Sequence, residues 1–452
     1  MEVKRKKGRL GFATRVGAVA AAVGSAVGLG NIWRFPYEAG QNGGGAFIIV
    51  YVLCVIALGI PVMLSEFVIG RSTHKNMMGA LKQLSPGSKV YAFSYVAVLG
   101  AIVTLGFYCV VCGWVIDYLF QALLGNMQGH TPQEYTEIFN GFVGNGWMCL
   151  LWTFVFLVVN FWVMSHGVQK GIERVSSIMM PGLFVLLLVF CVNSLLLPGS
   201  WKGVEFLLSP DFSKLTWKGV VDAMGQAFMS LTLGISGMVT YSSYFKDDSP
   251  LAKDAVTIAT LDSLVAILAG VVIFPAVFSF GMQPEAGPKL VFEILPSIFQ
   301  QMTGGYIWAV LFFVLLLFAS LTSTISLSEI PIAFICEEFK VSRMKAINIL
   351  AVLTLLFAVP SALSFNVLSD ITVGGMNIFD LLNYASSNFF MLLGGLFTAV
   401  YVGWMLDKRV IADQLSNRNH LNKAVFNYTV LSLRYVAPVC VLIIFLYYVG
   451  LI

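Results

Sequence analysis

The residues best equipped for chemistry in this 452-residue sequence are oxygen donors set inside apolar runs. Asn31, Ser230, Asp262, Thr322 and Ser323 offer amide, hydroxyl and carboxylate oxygens where most neighbours are aliphatic, aromatic or glycine. Such oxygens suit a hard cation. Nucleophilic or redox work needs partners that the sequence does not supply. The four histidines, His74, His130, His166 and His420, are scattered, so no zinc site is indicated. Cys109 and Cys112 form a CxxC, but they and Cys54, Cys149, Cys191, Cys336 and Cys440 all lie in apolar runs and are read as small apolar fillers without a disulfide framework. With no nucleophile beside a base and no phosphate loop, the chain is not read as an enzyme, and no organic cofactor is expected.

Donors of this kind must be held by elements, and the composition says which. Hydrophobic residues make up 58% of the chain and charged residues 11%, less than half the share of about 25% found in ordinary globular domains. A soluble domain is therefore excluded, and a net charge of +4 gives no reason to expect nucleic acid. A bilayer-spanning helix needs about 20 apolar residues. Eleven segments of that order can be drawn, roughly 12–40, 45–70, 90–124, 147–166, 174–197, 220–246, 252–282, 304–338, 343–363, 376–406 and 428–452. Most of the 27 lysines and arginines fall in the N-terminal tail and in alternate connections, around Arg71, Lys170, Lys246, Lys345 and Lys408. The positive-inside rule then puts the N-terminus in the cytoplasm and, after eleven crossings, the C-terminus outside. Residues 1–11 are read as a cytoplasmic tail, because no small-residue cleavage site closes the first apolar run.

Segments 1 and 6 are unlike passive anchors. The first reads AAAVGSAVGLGNIWRFP with Gly24, Gly28 and Gly30, and the sixth reads GQAFMSLTLGISG with Gly234 and Gly237. Each interior glycine costs about 1 kcal/mol against alanine. These segments head two successive sets of five, residues 12–199 and 220–406, which must enter the membrane from opposite sides because five is odd; one further helix, 428–452, follows. The fold expected is an all-α polytopic membrane protein with a 5+5 inverted-topology repeat, in which broken helices 1 and 6 expose backbone groups at the midplane. Small-residue faces for close helix packing are the alternative.

The stretch GLGNIWRFPYEAGQNGGGAF, together with GQAFMSL in segment 6 and FASLTSTIS in segment 8, closely resembles the neurotransmitter:sodium symporter family, nearest to its bacterial eleven-helix hydrophobic amino acid symporters. The likeness runs from Arg9 to the last helix. It implies one sodium ion among Ala26, Asn31, Ser230 and Asp262, touching the substrate carboxylate, and a second among Gly24, Val27, Ala319, Thr322 and Ser323. Carried over by position, the substrate pocket would be formed by Ser25, Ala26, Leu29, Gly30, Thr104, Tyr108, Met229, Ser230, Thr232, Ile235, Ser323 and Leu327. Monoamine carriers of the family have Asp where this chain has Gly28, so the resemblance implies a substrate that brings its own carboxylate, which Tyr108 would bond. The apolar lining, with adaptable Met229 and Ile235 at two positions aromatic in leucine-binding relatives, implies broad hydrophobic selection.

Asp262 departs from most relatives, which carry Asn, and Ala266 stands where chloride-independent bacterial members often add Glu. A mid-membrane carboxylate costs about 3 kcal/mol unless paired. Asp262 is therefore expected to supply the negative charge that chloride gives in animal relatives; a protonated aspartate that exports a proton is the alternative. The resemblance also implies an outer gate of Arg34, Asp380 and Gln226, and an inner gate of Arg9 and Glu337 capped by Phe12, where the family usually has Trp. Glu66 is expected to satisfy the unwound backbone of segment 6, and Gly171 and Pro181 reproduce a family spacing linked to unwinding. The function implied is sodium-coupled symport of hydrophobic L-amino acids across a bacterial inner membrane, with the lipid bilayer and the small-molecule substrate as partners and no obligate protein partner. A non-transporting amino acid sensor on the same scaffold is the competing expectation.

Overall fold

The computed structural model describes residues 11–281, 288–416 and 422–451. Among these residues the regular structure is helical. Helices α1 (Arg15–Ala26) and α2 (Gly30–Gln41) are bent by 55° at their junction. They are followed by α3 (Gly45–Thr73), α4 (Met77–Leu84), α5 (Lys89–Leu123), α6 (Pro132–Gly144), α7 (Gly146–Ser165), α8 (Val168–Leu195) and α9 (Trp201–Leu208). The second half contains α10 (Trp217–Ser230), α11 (Gly237–Ser242), α12 (Leu251–Ser279), α13 (Leu295–Gln301), α14 (Gly305–Glu338), α15 (Arg343–Leu363), α16 (Ile378–Met405), α17 (Lys408–Leu415) and α18 (Lys423–Tyr448).

Among the described residues, nine helices are long and apolar enough to cross a membrane, and the bent pair α1 and α2 makes a tenth. The remaining expected crossing, residues 220–246, is split into α10 and α11, of 14 and 6 residues, neither long enough to span alone. Its break has a local cause. Thr232, Gly234 and Ser236 adopt φ of 53°, 91° and 65°, a left-handed conformation that cannot continue a right-handed helix. In segment 1 the helix ends because Val27 is extended, with ψ of 113°.

Long α5 and α14 pack along each other at the centre, with the broken pairs beside them. The connecting helices α4, α6, α9 and α13 fall in stretches that carried no apolar signal. The start of α6 nevertheless has a local signature: Thr131 and Glu134 form a capping box. The Thr131 backbone N–H and hydroxyl hold the Glu134 carboxyl below its ordinary range.

Candidate functional site

A cavity of about 800 Å³ runs from one end of the bundle to the two helix breaks. Its floor is formed by Ser25, Ala26, Gly28, Gly30, Asn31 and the α10–α11 break, and its walls by Thr104, Tyr108, Ser323 and Leu327; Asp380 and Lys289 stand exposed at its mouth. The geometry at the floor follows from the first break. With Val27 extended, the Gly28 N–H loses its helical acceptor and donates instead to Asn31 Oδ1 at 3.0 Å, while the Leu29 N–H donates to the Tyr108 hydroxyl at 3.1 Å. A Cβ at Gly28 would lie 3.1 Å from both Ser323 Oγ and Tyr108 OH, so glycine keeps this corner open.

The structure brings two oxygen sets together on either side of the break. In the first, Asp262 is completely buried. Its carboxylate accepts from Asn31 Nδ2 at 2.8 Å and from Ser230 Oγ at 2.6 Å, and Tyr51 OH lies 3.5 Å away. Ala26 lines the same floor. A buried carboxylate is tolerated only when donors surround it. In the second set, Ser323 Oγ lies 2.9 Å from the Val27 carbonyl, 3.1 Å from that of Ala319 and 3.4 Å from that of Gly24. Thr322 Oγ1 lies 3.2 Å from the same Ala319 carbonyl. A Cβ on Gly24 would sit 2.9 Å from Thr322 Cβ. The Ser323 hydroxyl thus gathers the carbonyls of Gly24, Val27 and Ala319, while Thr322 Oγ1 also donates to the Phe318 carbonyl at 2.8 Å. Carbonyls and hydroxyls are the ligand types that hard cations take.

The remaining sequence-derived residues fall as follows. Met229, Ser230, Thr232, Ile235 and Leu327 line the cavity, and Thr232 Oγ1 donates to the Ser25 carbonyl at 2.9 Å. Leu29 differs: its side chain is fully buried away from the cavity, and it meets the site through its N–H alone. Its place on the first helical turn after the break turns the side chain into the core. Glu66 is completely buried and accepts from the N–H groups of Gly234, Met238 and Val239 at 2.7, 3.1 and 3.3 Å, so the second break has its freed donors answered by one carboxylate.

At the mouth, Arg34 and Asp380 are not brought together. Arg34 contacts Met229 Sδ, approaches Tyr448 OH at 3.4 Å and Glu38 at 3.8 Å, whereas Asp380 is exposed in the first turn of α16, its N–H donating at 2.8 Å to Oδ1 of the capping Asn377. Gln226 lines the cavity beside them. The opposite end is shut. Phe12 is buried against Tyr241, Tyr244 and Phe245, and its N–H donates to the Tyr244 carbonyl. Glu337 accepts from Asn76 N–H and Nδ2 at 2.9 and 2.7 Å; Arg9 lies outside the described residues. Gly171 falls in the π-helical first turns of α8, pressed on the Val163 carbonyl, and Pro181 lies further along α8.

Sequence reasoning missed part of the wall. Ser386, Ser387 and Asn388 line the cavity from α16, and Ser386 bonds Thr104. The polar run NYASSN at 383–388 inside an apolar segment was the available signal. Also missed was Glu329, fully buried on α14 and held by Arg343 Nη2 at 2.6 Å and by the Tyr244 hydroxyl at the shut end.

A cavity open at one end, closed at the other and floored by broken helices suits the class of membrane transporters. The profile of the sodium:neurotransmitter symporter family matches residues 9–134 and 133–451, and the chain belongs to that family. It is 39% identical over 440 residues to an uncharacterized sodium-dependent transporter of Bacillus subtilis, YhdH, covering 97% of this chain and 98% of that one. It is 27% identical over 414 residues to the sodium-dependent serotonin transporter of Drosophila melanogaster, covering 80% of this chain and 64% of that protein. The crystal structure of MhsT in complex with L-phenylalanine superposes with a TM-score of 0.90 at 40% identity, covering 97% of this chain and 99% of that one. The protein is thus a sodium-dependent transporter embedded in a membrane, and transport rather than catalysis is its work.

Proposed function

We propose that this protein carries hydrophobic L-amino acids, aliphatic and aromatic, into the cell together with two sodium ions, without chloride. The observation that carries this reading is the floor of the cavity, where an apolar chamber lies between one oxygen set containing Asp262 and a second built on Ser323. A substrate carboxylate would sit at the Gly28 corner, beside the positive end of α2 and the Tyr108 hydroxyl, with one sodium next to it. Its side chain would face Ile235, Leu327 and Met229. The phenylalanine of the similar MhsT complex supports that class. Asp262 would supply the negative charge that offsets the first ion, and its neighbours Asn31 and Ser230 already donate to it. The open end would face outward and the shut end the cytoplasm, in a bacterial inner membrane, since Lys75, Lys82, Lys246 and Lys340 flank the shut end. Two charges crossing 100 mV are worth about 4.6 kcal/mol, enough for more than a thousandfold accumulation.

Purified protein in liposomes tests this directly. An inward sodium gradient should drive uptake of labelled leucine and phenylalanine, a potassium gradient should not, and replacing chloride by gluconate should change nothing. Binding without uptake would make the protein a sensor. Asp262→Asn should weaken sodium activation or create a need for chloride; a variant that kept both properties would remove Asp262 from the charge balance.

A further inference from the structure

Arg434 is a charge that the cavity and its oxygen sets leave unused. It lies well inside α18, a helix of 26 residues that is long and apolar enough to cross a membrane. A guanidinium there is costly unless something answers it, because hydrocarbon cannot solvate the charge. Among the described residues no acidic side chain pairs with it.

What fixes Arg434 is the end of α16. Arg434 Nε donates to the Gly403 carbonyl at 2.6 Å, and Trp404 Nε1 donates back to the Arg434 carbonyl at 3.1 Å. Both acceptors belong to π-helical turns, Tyr401–Met405 in α16 and Ser432–Val436 in α18. The Gly403 carbonyl is among the last of its helix, where no further turn supplies a donor. The guanidinium stands 5.3 Å from the centre of the Trp404 ring, and Trp404 meets Tyr435 edge-on at 5.7 Å. A Cβ on Gly403 would lie 2.9 Å from the Leu433 carbonyl oxygen, so glycine lets the two helices approach closely enough for this reciprocal clasp.

The clasp uses one of the five N–H donors of the guanidinium. The four on the two Nη atoms meet no acceptor among the described residues, and Trp404 and Tyr435 beside them are 55% and 54% exposed. Exposed tryptophan and tyrosine are the residues of the membrane–water interface. Four residues beyond Trp404, α17 opens with exposed Lys408 and Arg409; Asp407 between them and α16 is occupied as the cap of α17, accepting from the Arg409 N–H at 2.9 Å. A planar fork with its outer donors unused, interfacial aromatics and two further exposed cations together match a lipid phosphate, which a guanidinium binds through two parallel hydrogen bonds.

We propose that Arg434, with Trp404, Lys408 and Arg409, forms a binding site for one anionic glycerophospholipid of the phosphatidylglycerol class, its phosphate held on the Nη fork of Arg434. A zwitterionic lipid brings an ammonium group that Lys408 and Arg409 repel, so the net charge of the headgroup decides between the two. Which leaflet supplies the lipid follows from the orientation proposed above; the site itself needs only a bilayer.

Native mass spectrometry of the full-length, delipidated protein in detergent, titrated with phosphatidylglycerol or with phosphatidylcholine of the same acyl chains, provides the test. The first phosphatidylglycerol should bind the parent at least tenfold more tightly than phosphatidylcholine. Arg434→Gln should bring the two within about twofold, whereas Lys345→Gln, which removes an exposed charge at the start of α15, should keep the preference. Arg434→Lys retains the charge but not the fork, serves if Arg434→Gln does not accumulate, and should weaken phosphatidylglycerol about fivefold or more. Equal binding of both lipids to the parent would overturn the proposal, as would an unchanged preference in Arg434→Gln or an unchanged affinity in Arg434→Lys. An equal loss in Lys345→Gln would do so too, because attraction would then follow overall charge and not this site. No sodium or amino acid is present, so the result stands apart from uptake in liposomes.

Discussion

Single side chains at the breaks each hold several backbone groups, which makes their removal informative. Glu66 answers three buried N–H donors of the α10–α11 break. Glu66→Ala should lower stability by more than about 3 kcal/mol, since each stranded donor costs about 1–3 kcal/mol, and the fall should appear as a lower thermal midpoint in detergent. Tyr108→Phe removes a hydroxyl that now receives the Leu29 N–H and would receive a substrate carboxylate. A hydrogen bond to a charged group is worth about 1.5–3 kcal/mol, so amino acid affinity should fall roughly 10- to 100-fold. Binding of sodium alone, followed by its protection against heating, should be unaffected; an equal loss of both would place Tyr108 in the ion site instead. At this scale residue type narrowed the candidates and the family resemblance chose among them: Asn31, Ser230, Asp262, Thr322 and Ser323 are oxygen donors in apolar runs, but so are Thr153, Ser176 and Thr354, which lie elsewhere. Leu29 and Ser386 were not legible, because side-chain direction at a break and pairing across α5 and α16 depend on packing that spacing does not encode.

The breaks themselves are properties of elements. Gly234 combines a φ of 91° with a position against the Met391 carbonyl and, at 2.7 Å from where a Cβ would be, the Gly395 amide nitrogen. Gly234→Ala must therefore pay for left-handed backbone and for displacing α16. Strain of this kind costs about 1–3 kcal/mol before the clash is counted, so the variant should be poorly expressed or melt well below the parent. If Gly234→Ala were as stable as the parent, the break would be more compliant than its contacts indicate. Mid-span glycines made both breaks visible in the sequence. The connecting helices α6, α9 and α13 were invisible because they lie between spans without a periodic apolar face long enough to register, and only the Thr131–Glu134 capping box marked one of them.

Across the whole molecule the mouth is open, with Arg34 and Asp380 apart, while Phe12 is buried at the opposite end. Arg34 is engaged by Met229 and Tyr448, and Tyr448 in turn donates to Asp222 at 3.0 Å and receives the Tyr384 hydroxyl on its carbonyl at 2.7 Å. Helix α18 thus ties α10 and α16 together at the rim and holds Arg34 on the α10 side. If the mouth closes on the pair that the family resemblance implies, Arg34 passes from this cluster to Asp380, which lies exposed on α16. A pair formed only in the closed state contributes to turnover and not to the first binding event, by the same logic that separates transition-state from ground-state interactions. Asp380→Asn should accordingly leave sodium-dependent binding of amino acid to detergent-solubilised protein within about twofold, while the maximal uptake rate in liposomes falls about tenfold, the effect of roughly 1.4 kcal/mol on the closing equilibrium. Parallel binding and uptake measurements check it. Loss of binding in step with uptake would mean that Asp380 shapes the open cavity itself, and Arg34 would then need another partner to close it.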